Sequence, residues 1–168
     1  MPNQIFTIGH ASWTLSGLID HIKGRGVTHL VDVRSSPFSK FQPDFCEKPL
    51  EKSAIRSGLT YIPMGDQLGG KPPHADCYTE GKVAYDKVMQ RDFFRRGIAR
   101  LLESYQQGLT ICLLCAEGDP TSCHRTQLIG RALAATGIQL IHLLPNGTSR
   151  TQSEVTTPTS TAQSELPL

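Results

Sequence analysis

Cys115, Glu117, Cys123, His124 and Arg125 lie in one short stretch of chain, which therefore holds two thiols, a carboxylate, an imidazole and a guanidinium. Three chemistries are open to such a set. A thiolate nucleophile with His10 or His124 as its base has the roles of covalent catalysis, with helix N–H groups available to an oxyanion. A metal site would take Cys115, Cys123 and His124 with His74 or Cys77, but the spacing differs from the CxxC knuckle of common zinc sites. A reversible disulfide between Cys115 and Cys123 is also open, although no CxxC motif supports it. Neither a metal nor a cofactor is assigned from these residues. Cys112, two apolar residues before Cys115, reads as a small core hydrophobe.

Arg34 and Arg125 are candidates for an anion clamp on phosphate or carboxylate, with Ser35, Ser36 and helix N–H groups as further donors. The structural alternative is that Arg34 pairs with Asp32 or Glu117 and fixes a loop. His10 follows Gly9, which permits a sharp turn or close approach, and Gly69-Gly70 offers a loop able to close over a ligand.

These residues need elements that bring them together. Short apolar runs alternate with helix-period segments, the pattern of βαβ units and a mostly parallel sheet. Strands are expected at Ile5 to Ile8, His29 to Val33, Thr60 to Ile62, Thr110 to Cys115 and Gln139 to Leu143. Leu15, Leu18, Ile19 and Ile22 space a helix behind Thr14 as N-cap, and a short helix runs from about Pro49 to Arg56. Phe94, Ile98, Leu101, Leu102 and Tyr105 place another helix between Asp92 and Gly108. Asp119-Pro120 has the form of a cap and first helical residue, so a helix is expected from there to about Thr136. On that reading Cys115 faces the helix amino terminus and Cys123 lies inside the helix, which makes Cys115 the more reactive thiol. The segment Pro63 to Tyr78 is long enough to be a lid.

The expectation is thus a single Rossmann-like, three-layer α/β domain over residues 1–147, with about five strands and helices on both faces. Ligands in such sheets bind outside the strand carboxyl ends. Gly9-His10, Asp32 to Ser35, Cys115 to Glu117 and Cys123 to Arg125 all fall at that edge. From Thr148 the composition turns to Ser, Thr, Gln and Pro, and residues 148–168 read as a disordered tail.

Thr7-Ile8-Gly9-His10, Asp32-Val33-Arg34-x-x-Pro37-x-Ser39, Leu68-Gly69-Gly70 and Cys115-Ala116-Glu117-x-x-Pro120-x-x-Cys123-His124-Arg125 together resemble the signature of domain of unknown function 488 (DUF488). The resemblance spans about residues 5 to 143 and brings no settled activity with it. Ala11 and Lys40 depart from the serine and arginine expected at those positions; lysine weakens bidentate anion contacts.

At 168 residues and a net charge of +2, the chain fits one core and carries no basic stripe. That argues against tight nonspecific DNA binding. The amino terminus lacks a secretory pattern and no apolar run suits a membrane span, so a cytoplasmic protein with no membrane partner is expected. Five cysteines in a reducing compartment read as free, metal-bound or catalytic. The residues therefore point to a small thiol- or histidine-assisted hydrolase or transferase. Its partner would be an anionic small molecule or nucleotide, or nucleic acid. The alternatives are a non-catalytic anion or nucleic-acid binding module and a Cys/His metal-binding or redox-sensing domain. Oligomeric state has no signature.

Overall fold

The computed structural model describes residues 3–157. A six-stranded sheet lies at its centre in the order β3-β2-β6-β1-β7-β8. These strands are β1 (Ile5–Gly9), β2 (His29–Asp32), β3 (Thr60–Pro63), β6 (Ile111–Cys115), β7 (Ile141–Leu143) and β8 (Ser149–Thr151). All neighbouring pairs are parallel except β7 with β8. The α/β class and three layers follow the sequence. One strand more than expected sits at the edge, and a separate hairpin pairs β4 (Tyr78–Thr79) with β5 (Lys82–Val83).

Every residue of β6 is buried, as a central parallel strand requires. Its side chains alternate between two cores. Ile111, Leu113 and Cys115 join the core containing Phe94, Ile98 and Leu101 of α5 (Asp92–Gln106) and Leu68 of α3 (Gly65–Leu68). Cys112 and Leu114 join the opposite core, with Leu18, Ile19 and Ile22 of α1 (Leu15–Gly24) and Leu50 and Ala54 of α2 (Glu47–Arg56). Cys112 is thus a core residue, and its thiol is pushed up by burial.

Local chemistry explains the helix limits. Thr14 accepts from the Gly17 N–H at 3.1 Å and caps α1. Glycine in the left-handed region stops the chain after α5, at Gly108 with φ +88°.

Connections after β1 and β2 carry α1 and α2 over one face. Those after β3 and β6 carry the later helices over the other. Adjacent strands β2 and β6 therefore send their chains to opposite sides, which opens a crevice between their carboxyl ends.

Two expectations are corrected. The helix foreseen from Asp119 begins only at Arg125, as a π-helical stretch (Arg125–Gly130) leading into α6 (Arg131–Ala134). Asp119 caps a turn instead: its Oδ1 accepts from the Thr121 N–H at 2.9 Å, and the Cys123 N–H reaches the Pro120 carbonyl. A polar turn residue before proline suits both structures.

The expected tail also begins too early, because residues 149–156 form β8 and α7 (Gln152–Thr156). Thr151 and Glu154 make a capping box, and buried Gln152 donates to the Thr126 carbonyl and accepts from His142. Edge pairing and a buried amide replace the apolar face that this segment lacks. The rest of the expected tail, 158–168, lies outside the described residues.

Pro63 to Tyr78, expected as a loop, contains α3 and a 3-10 turn at Ala75–Cys77, with Leu68 and Cys77 buried. No helix among the described residues is long and apolar enough to cross a membrane.

Candidate functional site

The site starts from a register pair, Gly9 opposite Cys115 at the ends of β1 and β6. Beyond it the chain Glu117–Gly118 folds back over Gly9 so tightly that a Cβ there would stand 1.6 Å from the Glu117 carbonyl oxygen. Only glycine permits this crossing. Arg125 holds it from below, with Nη2 donating to the carbonyls of Glu117 at 3.1 Å and Gly118 at 2.9 Å. The Arg125 guanidinium is fully buried, and its Nε and Nη1 have no hydrogen-bond partner among the described residues.

The turn after Glu117 returns Cys123 to the strand end, where its Sγ lies 3.3 Å from the Sγ of Cys115. His124 Nδ1 is 3.7 Å from the Cys123 sulfur. On the other side of the ring, His124 Nε2 is 3.1 Å from the carbonyl oxygen of Val33, just past β2. A carbonyl only accepts, so Nε2 carries a hydrogen and the neutral ring presents the Nδ1 lone pair to the thiol. Gly70 fixes the ring's position from a third direction, since a Cβ on Gly70 would come within 2.8 Å of it.

This arrangement splits the two thiols. Cys123 is pulled far below an ordinary thiol, first by the hydrogen bond from Cys115, then by His124 and the Arg125 backbone N–H, against the cost of burial. Cys115 is pushed up by the same shared hydrogen bond and by burial. The dyad therefore favours one negative charge, on Cys123, with Cys115 as the donor to it. The expectation that Cys115 is the better thiolate depended on a helix opening at Asp119. With the helix opening at Arg125, the Arg125 N–H meets the Cys123 sulfur instead, while the Thr126 and Gln127 N–H groups bond the Cys123 carbonyl.

Both cysteines line a cavity of about 270 Å³ at the β2–β6 crevice. Arg34, Ser35, Ser36 and Phe38 come to it from the β2 side, Gly70 and Lys71 from the segment before the hairpin, and Ala116, Glu117, Ser122 and His124 from the β6 side. Tyr85, on α4 (Tyr85–Val88), closes it, and its hydroxyl is pushed up by burial, then by Cys123 and Glu117. A larger groove of about 930 Å³ between α6 and α7 holds neither thiol nor imidazole, so the smaller cavity is the candidate site.

Several expected site residues stand elsewhere or differently. Arg125 is absent from the cavity lining and binds loop carbonyls, so it forms no clamp with Arg34 there. Arg34 is held by Asp32 through Nε–Oδ1 at 2.9 Å and Nη2–Oδ2 at 2.7 Å, while Tyr61 donates to the same carboxylate at 2.6 Å. Arg34 thus follows the structural alternative while one edge still reaches the cavity.

His10 also stands apart from the thiols. It stacks on Phe45, with ring centroids 4.5 Å apart. Gln42 Nε2 donates to the carbonyls of His10 and Trp13, which leaves Gln42 Oε1 to accept from His10 Nδ1 at 2.8 Å. His10 Nε2 then accepts from Arg34 Nη1 at 3.4 Å, and burial first of all keeps the ring neutral. Glu117 has an exposed side chain on the rim, and its carbonyl, not its carboxylate, meets Cys115 at 3.5 Å.

Ser35 Oγ accepts from the Lys71 N–H at 2.8 Å and leaves its own hydrogen free to donate. Gly69 packs on that hydroxyl, so the glycine pair serves close approach. His74 stacks on Phe93, and Cys77 is buried in the core and makes no hydrogen bond to either dyad sulfur among the described residues. No group of three or more His, Cys, Asp or Glu among the described residues is placed to hold a metal ion.

Sequence reading missed Lys71, Tyr85, Phe38 and Ser122. Lys71 follows Gly69-Gly70 directly, a signal available in the motif. Phe38 and Ser122 sit in irregular segments, and Tyr85 on a helix of four residues, all too short to show periodicity.

Fold and cavity define an α/β domain with a thiol pair at a strand-end crevice. The chain belongs to the family described as Domain of unknown function DUF488, whose model matches residues 14–133. That span includes every cavity residue named above. No curated protein matches the chain.

Proposed function

We propose that this protein is a thiol-dependent hydrolase or transferase in which Cys123 is the nucleophile and His124 the proton acceptor and donor. The observation that carries this is the His124 ring, fixed by the Val33 carbonyl with Nδ1 3.7 Å from the Cys123 sulfur. A neutral imidazole so placed takes the thiol proton, and the resulting imidazolium beside a thiolate is the activated state of covalent catalysis.

The substrate is an anionic, phosphate-bearing molecule of nucleotide class. Lys71, the free Ser35 hydrogen and the Ser36 and Ser122 hydroxyls line the rim where an anion would sit. Phe38 is 70% exposed beside them and offers an aromatic face to a planar base. The cavity volume is at the small end of ligand sites, which are on the order of 300–1,000 Å³, so part of such a ligand stays outside.

In the reaction the Cys123 thiolate attacks an acyl or phosphoryl centre. The bond to the leaving group breaks, and His124 gives that group its proton. Water or an acceptor hydroxyl then loses a proton to His124 and attacks the thioester or thiophosphate. The Cys123–substrate bond breaks, and the proton returns to the thiol.

Incubation with a panel of nucleotides and acyl phosphates, read by intact mass and peptide mapping, tests the proposal. The expected result is an adduct on Cys123 that water or an acceptor discharges, absent in Cys123→Ser. Turnover that survives Cys123→Ser would overturn it.

A further inference from the structure

A thiol nucleophile with its own base has no need of a second thiol, yet Cys115 touches Cys123 at 3.3 Å. We propose that Cys115 is a resolving thiol and that the pair forms a hydroperoxide-reactive site that closes as a Cys115–Cys123 disulfide. The inference rests on the reading of Cys123 as the activated thiol.

Geometry separates this pair from the other cysteines. Cys112 points into the opposite core, Cys77 is fully buried among apolar residues, and Cys46 is engaged with the backbone of Ser39. The two dyad cysteines line one cavity, large enough for hydrogen peroxide, and are 1% and 2% exposed. The partner nearest to an oxidised Cys123 is therefore Cys115.

The Cys123 thiolate attacks one oxygen of hydrogen peroxide, the O–O bond breaks, and the departing hydroxide takes a proton from the His124 imidazolium, giving a sulfenic acid and water. Cys115 then loses its proton to His124 and attacks the Cys123 sulfur. The S–O bond breaks, and the hydroxide released takes that proton and leaves as a second water. Two thiols are oxidised and one peroxide is reduced.

Bond formation brings the sulfurs from 3.3 Å to about 2.05 Å. The short Pro120–Cys123 turn can supply this movement, whereas β6 is locked between β1 and β2. The disulfide consumes the thiolate, so the oxidised site is off until a thiol reductant reopens it.

The full-length protein, exposed to limiting hydrogen peroxide, alkylated and peptide-mapped, provides the test. In the wild type the expected product is a peptide linked between Cys115 and Cys123, reversed by dithiothreitol. In Cys115→Ser, Cys123 should accumulate sulfenic acid trapped by dimedone and proceed to sulfinic acid. Wild-type Cys123 reaching sulfinic acid while Cys115 stays alkylatable, or linking to Cys46, would overturn the resolving role and leave the nucleophile reading standing. Cys123 inert to both peroxide and iodoacetamide would overturn both. The wild-type mapping decides the matter even if Cys115→Ser folds poorly.

Discussion

The carbonyl oxygen of Val33 lies 3.1 Å from His124 Nε2 and turns the opposite ring nitrogen toward the Cys123 sulfur. A backbone group at the end of β2 thereby sets the protonation pattern of a residue at the start of a distant helix. Gly70 keeps this contact in place, because any side chain there enters the ring's space. Gly70→Ala should displace His124 and slow alkylation of Cys123 at pH 4 by about fivefold, the effect of raising a thiol that titrates at about 4 by roughly one unit. Overpacking should cost about 1–3 kcal/mol of stability. Rates of iodoacetamide labelling by peptide mapping check this, and an unchanged Cys123 rate would show that His124 does not activate the thiol.

Asp32 is the anchor for the β2 end of the cavity, receiving Arg34 by two side-chain bonds and Tyr61 by one. Replacing Asp32 with Asn leaves Arg34, 5% exposed, without its counter-charge. The expected loss is about 3–5 kcal/mol, as for other broken buried pairs. Tyr61→Phe, which removes one bond to the same carboxylate, should cost about 1.5–3 kcal/mol. Urea denaturation of both variants compares them; equal losses would show that the ion pair itself adds nothing.

Residues 149–156 should be required for stability. Deleting the chain from Thr148 onward removes β8 from the sheet edge and strips His142 and the Thr126 carbonyl of their Gln152 partners. Each buried group left unsatisfied costs about 1–3 kcal/mol. The melting temperature should fall by several degrees, and an unchanged value would show that this segment does not dock.

His142 should make stability pH-dependent. Burial above all lowers it to about 4, and its two nitrogens are already used by the Thr7 hydroxyl and Gln152 Oε1 in the neutral form. The unfolded chain titrates near 6.5, so between that pH and about 4 the unfolded state binds more protons. Stability is therefore full above about pH 6.5 and declines as pH falls toward 4, by on the order of 3 kcal/mol. Urea midpoints at pH 7.5 and 4.5 measure the decline, and His142→Gln should make it shallower. An equal decline in the variant would assign it to other groups.

Much of this was legible because the core strands write their burial into the sequence. The apolar run ending in Cys115 could only be a central strand, and the i, i+3, i+4, i+7 set of α1 behind Thr14 could only be an amphipathic helix. What escaped depends on choices made by single polar side chains. Asp119 prefers the Thr121 N–H, which moves the helix start to Arg125 and reverses the ranking of the thiols. Arg34 finds Asp32 two residues earlier instead of joining Arg125. The capping box Thr151-x-x-Glu154 lay within a stretch whose composition alone read as tail. Tyr85 stands on a four-residue helix, too short to leave a period.

The shared hydrogen bond and His124 put the thiolate of the pair on Cys123 and not on Cys115. Iodoacetamide labelling of the native protein across pH 4 to 9, with each cysteine followed by peptide mapping, tests it most directly. The Cys123 rate should stay level from pH 9 down to below 6, while Cys115 remains unlabelled, because Cys123 is held far below and Cys115 above an ordinary thiol. A Cys123 rate that falls about tenfold per pH unit below about 8.5, as a free thiol does, or labelling of Cys115 first, would show that Cys123 does not hold the thiolate.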